Sequence, residues 1–221
     1  MRTRLYIAST QALTNPARFE RLAGTIPPAR REKLGAFKHD GARRLSLAAS
    51  LLLVRALKDE GVYTDEIAVT EYGKPYLPRL PGFHFSLSHS GDTALCAVSP
   101  QEIGCDIEEP RGYDPKIARR FFHPAEQDWL FSRPEPEQAD AFFRLWTCKE
   151  SFIKALGLGL SQPLESFSVL PGERARLTQT ADARLWQMRS FRDGDCFLAL
   201  CGLEGVADAP LTRVNFGEAC A

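Results

Sequence analysis

One outline is written twice along this chain. A long helical pattern runs from about Asp40 to Glu60, and a later hairpin turns at Gly91-Asp92 to return through Ala94-Leu95-Cys96-Ala97-Val98. A second long pattern runs from about Gln138 to Leu156, and a hairpin spanning Leu185 to Leu203 turns at Asp193-Gly194. In the first helix Leu45, Leu47, Ala48, Leu51, Leu52, Val54 and Leu57 recur at intervals of three and four, the period of a helix with one buried face. Gly61 follows as a stop. Phe83 to Ser88 alternates with period two, as a strand does. Hairpins converge on the same turn residues whatever their origin, so the outline alone leaves internal duplication and chance likeness both open.

Between these units the pattern is thinner. Residues 4–8 and Ile103 to Glu108 read as strands, with Ile67-Ala68-Val69 and Phe167-Ser168-Val169 as shorter ones. Residues 16–38 are mixed and basic, broken at Pro27-Pro28. Residues 114–131 suggest a helix or two, and Arg133 to Glu137 a proline-rich break.

The 221 residues suffice for one large domain or two small ones. Lys plus Arg and Asp plus Glu stand at 28 each, so any phosphate site must be local. That balance disfavours nucleic-acid binding, which shows as a basic excess. No apolar run follows Met1 that is long enough for a signal peptide or a membrane span. The six cysteines form no C-x-x-C pair. They are expected to be reduced and mostly buried in a cytoplasmic protein, with no zinc site.

Ile103-Gly104-Cys105-Asp106-Ile107-Glu108 alternates apolar and acidic. In a strand, Ile103, Cys105 and Ile107 share one face and Asp106 and Glu108 the other, with Gly104 leaving room beside Asp106. Like charges held about 7 Å apart repel unless a partner neutralises them. A solvated strand face would carry the same pattern, and so would a magnesium site, since Mg²⁺ takes one or two carboxylates with waters and substrate phosphates. On the second long helix Trp146, Glu150 and Lys154 form one stripe, beside a mostly apolar stripe of Phe142, Leu145, Lys149, Phe152 and Leu156. Glu150 and Lys154 read equally as an exposed ion pair or as a metal ligand and a phosphate contact.

Ser88-His89-Ser90 ends a strand and offers donors at a turn, where serines also serve as simple caps. No G-x-S-x-G elbow is present, so a serine hydrolase is a poor reading. Gly73-Lys74-Pro75 presents one lysine on a rigid turn, and lysine meets phosphate as a point charge. Arg30, Arg31, Lys33, Lys38, Arg43 and Arg44 form a local basic stretch in a neutral chain.

Taken in order, the basic segment, Gly73-Lys74-Pro75, Ser88-His89, Gly104-Cys105-Asp106-Ile107-Glu108 and Trp146-Thr147-Cys148-Lys149-Glu150-Ser151-Phe152-Ile153-Lys154 resemble the Sfp-type 4′-phosphopantetheinyl transferases. The resemblance runs from about residue 30 to about residue 170. Arg120-Phe121-Phe122 with Glu126, and Gly157-Leu158-Gly159-Leu160, also look like stretches of that family. It implies an α+β fold, a pseudo-dimer of two similar halves with the active site in the cleft between them. The N-terminal half, 1–100, would carry coenzyme A contacts. The C-terminal half, 101–221, would carry the magnesium site and the carrier docking surface, the latter within residues 155–190.

The resemblance also implies roles. Asp106, Glu108 and Glu150 would hold Mg²⁺, which Mn²⁺ can replace. Arg30, Lys33, Arg43, Lys74, Ser88, His89 and Lys154 would bind coenzyme A. Glu150 and Lys154 would be catalytic, Glu150 as base directly or through a metal-bound water. The expected reaction moves 4′-phosphopantetheine from coenzyme A to a serine of an apo peptidyl or acyl carrier protein, releasing adenosine 3′,5′-bisphosphate. The pseudo-dimer supplies both halves of the cleft, so a monomer is expected, without nucleic acid or membrane as partner. The rival readings are a non-catalytic coenzyme A or carrier-binding module and another magnesium-dependent phosphate-cleaving enzyme.

Overall fold

The computed structural model describes residues 1–64, 66–172 and 175–217. Cys220, the side chain of Leu160, and residues 173 and 174 within the expected docking segment lie outside that description. The chain opens with β1 (Arg4–Ser9), α1 (Pro16–Ala23), α2 (Pro28–Gly35) and α3 (Asp40–Asp59). There follow β2 (Ala68–Val69), β3 (Pro75–Tyr76), β4 (His84–Ser90), β5 (Thr93–Ser99) and β6 (Ile103–Glu108). Three helices come next, α4 (Pro115–Phe121), α5 (Pro124–Phe131) and α6 (Glu135–Leu156). The chain continues with β7 (Ser168–Leu170), β8 (Arg176–Thr178), β9 (Gln187–Asp193), β10 (Cys196–Gly202) and β11 (Leu211–Arg213).

Two α+β halves result. The first sheet runs β11-β1-β5-β4 and the second β6-β10-β9. Period-two alternation divides the strand side chains among separate cores. Tyr6, Ala8, Cys96 and Val98 pack with Leu47, Leu52 and Ala56 of α3. The alternate residues Leu5, Ile7, Leu95 and Ala97 pack with Ile103, Cys105, Ile107, Leu198 and Leu200, joining the two sheets face to face. Ala199 and Cys201 pack with Cys148, Phe152 and Ala155 of α6. Helix, sheet, sheet and helix are therefore layered in that order, with both hairpins turning on glycines, Gly91 and Gly194.

The chain passes from the first sheet to the second between β5 and β6. One strand crosses back: β11 pairs parallel to β1, Leu5 opposite Leu211. It is three residues long and carries no alternation readable from sequence. The mixed, basic segment 16–38 holds two helices, one on each side of the expected break at Pro27-Pro28. Asn15 caps α1 by accepting from the Arg18 N–H at 2.9 Å, and a proline in the first turn of each helix suits its fixed φ. For the same reason Pro134 and Pro136 do not break the chain as expected, and α6 begins at Glu135. Cys96, Cys105, Cys148, Cys196 and Cys201 are free and buried. Among the described residues no helix is long and apolar enough to cross a membrane.

Candidate active site

β4 and β6 are the end strands of their sheets, and they meet along a seam closed by serine side chains. Ser86 Oγ accepts from the Cys105 N–H at 3.0 Å. Two residues on, Ser88 Oγ donates to Asp106 Oδ1 at 2.6 Å. Two further, Ser90 Oγ donates to Glu108 Oε2 at 2.7 Å and accepts from the Glu109 N–H at 3.1 Å. The strand continues through Ser90, so Ser88 and His89 lie within a strand and not in the turn expected from sequence. Ser86 and Ser90 were missed as partners of the acidic strand. The signal was present: a Ser-x-Ser-x-Ser alternation that keeps one face toward Asp106 and Glu108.

Gly104 sets the depth of the site. A Cβ there would lie 2.0 Å from the Ser151 carbonyl and 2.3 Å from the Ala155 nitrogen, both backbone atoms of α6. The helix thus seats directly on the strand, and Lys154 reaches Asp106 Oδ1 at 2.6 Å and Ser88 Oγ at 2.9 Å. Gly104→Ala has nowhere to place its methyl. It should cost about 1–3 kcal/mol in urea unfolding and displace Lys154 from Asp106. A fully stable variant would show that α6 can lift from β6 at no cost.

Above the seam lies a cavity of about 730 Å³. Arg30, Lys33, Lys74, Ser88, His89, Asp106, Glu108, Glu150 and Lys154 all line it, and so do Phe37, Tyr72, Phe85 and Trp146. Nine of the ten residues expected to form the site are thus drawn to one place from α2, the β2–β3 turn, β4, β6 and α6. Arg43 is the exception. It does not line the cavity; its guanidinium lies 5.1 Å from the Phe19 ring centre and 3.8 Å from Asp40. Arg30 is anchored by Ser50, to which its Nε donates at 2.9 Å.

The charges are strongly coupled. Burial raises the Glu150 carboxyl above its ordinary value, and the negative charges of Asp106 and Glu108 raise it further. Glu108 is likewise raised, by burial first and then by Asp106, against the hydrogen bond from Ser90. Burial works most strongly against charge on Lys154, but Asp106, Cys105 and Glu150 together outweigh it and hold the ammonium above its ordinary value. Burial lowers the His89 imidazole, and Lys154 and Lys33 lower it further against the opposing charge of Asp106.

Asp106 Oδ1 takes both Ser88 and Lys154, while Oδ2 is buried with no hydrogen-bond partner. An orphaned buried carboxylate oxygen is costly. Together with two repelling carboxyls it fits a hard divalent cation such as Mg²⁺, which prefers oxygen ligands and keeps room for water and phosphate. As placed, no three His, Cys, Asp or Glu side chains among the described residues converge tightly enough to cage an ion by themselves. An open, partly provided shell is what Mg²⁺ with a phosphate-bearing ligand uses.

Next to the site, Lys149 and Glu126 are both wholly buried. The lysine donates to the two carboxylate oxygens at 2.7 Å and to the Phe167 carbonyl at 3.0 Å. Glu126 also accepts from the Val169 N–H at 2.6 Å and the His123 N–H at 2.9 Å, the latter closing a capping box on α5. Burial raises the Glu126 carboxyl and lowers the Lys149 ammonium, and their mutual contact opposes both shifts.

The family model of the 4′-phosphopantetheinyl transferase superfamily matches residues 102–201, which contain Asp106, Glu108, Glu150 and Lys154. A 4′-phosphopantetheinyl transferase of Bacillus subtilis is 43% identical over 153 residues, covering 68% of each chain. The 4′-phosphopantetheinyl transferase Sfp of Bacillus subtilis strain 168 is 42% identical over 154 residues, again 68% of each. The L-aminoadipate-semialdehyde dehydrogenase-phosphopantetheinyl transferase of Rattus norvegicus is 32% identical over 178 residues, 72% of this chain and 58% of that one.

Proposed function

This chain belongs to the 4′-phosphopantetheinyl transferase superfamily, and from that premise we propose that it moves 4′-phosphopantetheine from coenzyme A to a serine of an apo peptidyl or acyl carrier protein. The observation that carries the reading is the pairing, over one cavity, of Lys154 and an acidic cluster with a partnerless buried Asp106 oxygen. Such a site neutralises and orients a pyrophosphate. The reading needs no nucleophile from this chain, because the carrier serine supplies it.

The serine Oγ attacks the β-phosphate of coenzyme A. The Oγ–P bond forms, and the bond from that phosphorus to the oxygen of the 5′-phosphate breaks, releasing adenosine 3′,5′-bisphosphate. Glu150 takes the serine proton; its raised carboxyl is a stronger base than an ordinary glutamate. Lys154 stands beside the leaving phosphate and offsets its growing charge. Arg30, Lys33 and His89, which line the cavity, meet the remaining phosphates. Ser88 and Ser90 hold Asp106 and Glu108 in their rotamers, which limits the motion lost when the substrate binds. Asp106, Glu108 and Glu150 would hold Mg²⁺, whose chemistry is to draw charge from the pyrophosphate oxygens. Arg43 has no part in this account.

Mass spectrometry of apo carriers incubated with this protein, coenzyme A and Mg²⁺ tests the reading. The expected result is one phosphopantetheine arm gained per carrier, and no gain with EDTA. Coenzyme A cleaved without any gain in carrier mass would overturn it in favour of a phosphate-cleaving enzyme.

A further inference from the structure

Lys74, expected from its Gly-Lys-Pro turn to meet a phosphate, already donates to two protein acceptors. Its ammonium donates to Glu102 Oε2 at 2.8 Å and to the Ala155 carbonyl at 2.8 Å. The other oxygen of Glu102 faces His84 Nδ1 at 3.5 Å. His84, and after it Lys74, hold the Glu102 carboxyl at about 2 against the opposing effect of burial. A lysine neutralised at this distance brings little net charge to an anion.

The same side chain is also seated sterically. Gly157 ends α6 with φ 74°, and a Cβ there would lie 2.8 Å from Lys74 Cδ. The stem of the lysine therefore runs across the glycine, and its head caps the last turn of α6, where carbonyls lack helical partners and a cation is favoured. A Cβ on Gly159 would lie 3.6 Å from the Tyr72 carbonyl, so the turn also runs close to this segment. Tyr72, Gly73, Lys74, Pro75, Gly157 and Gly159 all line the cavity. One wall of the site is thus a turn from the first half resting on the end of a helix from the second.

We propose that Lys74 is a positioning residue and not a phosphate ligand: with Glu102 it straps the turn of residues 72–75 onto the C-terminal turn of α6 and so fixes the wall of the coenzyme A cavity. The strap ties the two halves together at Ala155, the residue after Lys154. It rests on the coenzyme A reading for its effect on turnover, and on the structure alone for its effect on the turn.

Two variants separate a strap from a phosphate contact. Under the strap, Lys74→Met and Glu102→Gln each raise KM for coenzyme A by about tenfold, kcat changes less than KM, and the double variant is no worse than either single. Lys74→Arg, which can keep the bond to Glu102, stays near the wild type. The phosphate contact predicts the reverse for Glu102→Gln: freeing the ammonium would leave KM unchanged or lower it, and that result overturns the proposal. Amide hydrogen exchange gives a readout independent of turnover. Exchange at residues 72–74 and 156–159 should rise in both single variants. If it rises while no carrier is ever modified, the strap stands and the transferase reading fails. If exchange is unchanged in both, the strap is wrong whatever the activity.

Discussion

Glu150→Gln is expected to lower the rate of phosphopantetheine transfer by at least about a thousandfold, since a positioned general base alone is worth about 10²–10⁴. Glutamine keeps the shape of the side chain but can neither take the serine proton nor hold a cation as a carboxylate does. The fold should survive. Glu150 lines an open cavity, and its carboxylate is repelled by Asp106 and Glu108. Removing a charge whose folded-state pKa is raised removes a penalty, so the metal-free variant should be at least as stable as the wild type at neutral pH. The sign of its pH dependence follows. The penalty is full above the raised folded value and absent below the ordinary value near 4.5. The variant's lead in melting temperature should therefore shrink as pH falls through that window. Single-turnover transfer and thermal melts at pH 7 and pH 4 check both halves. An active Glu150→Gln enzyme would remove Glu150 from the mechanism.

The largest effect on stability is expected at Lys149 and Glu126. Removing one partner of a wholly buried pair strands the other charge, at about 3–5 kcal/mol. At roughly 2–4 °C per kcal/mol for a chain of this size, Lys149→Met should lose about 10 °C in melting temperature. Glu126→Leu should lose at least as much. The double variant Lys149→Met/Glu126→Leu carries no stranded charge and should lose much less than the sum of the singles. It should not reach the wild type, because the His123 and Val169 N–H groups lose their acceptor, at about 1–3 kcal/mol for each one left unsatisfied. A double-mutant cycle in urea measures the coupling. Additive losses would show that the two side chains do not act as a pair. The pair bears on the site because Lys149 precedes Glu150. Pinning Lys149 between Glu126 and the Phe122 and Phe167 rings fixes the rotation of α6, and that rotation aims Glu150 and Lys154 at the cavity.

How much of this was legible in the sequence depended on whether the signal was local. Strand β6 was readable to the residue, since alternation and length agree, and both hairpins were readable from their turns. The start of α6 was not, because Pro134 and Pro136 look like a break when only chain direction is considered; at a helix start they are favoured. The carboxylates of β6 and the stripe of α6 could be found separately, and their meeting could not. It depends on Gly104 admitting the helix backbone at Ser151 and Ala155, far along the chain. Lys149 looked like an odd member of an apolar stripe, and only tertiary structure brings Glu126 to it. Lys74 was visible as a lysine on a turn. Its engagement by Glu102 and the end of α6 joins three separate segments, so no spacing could announce it. Arg43 stood in the basic stretch and took its coenzyme A role from the resemblance; in the structure its neighbours are Phe19 and Asp40.

The placement of β11 has a consequence for synthesis. The first sheet takes its outermost strand from residues 211–213, which pair with β1 near the opposite end of the sequence. As the chain leaves the ribosome, β1, β5 and β4 can assemble early, yet the outer side of β1 then stays open until the second half has been made. An unpaired strand edge is a template for association with other chains, and the exposure lasts as long as translation of everything between. Slow translation of the second half should therefore increase aggregation of nascent chains, and a chaperone that shields strand edges should help most during that interval.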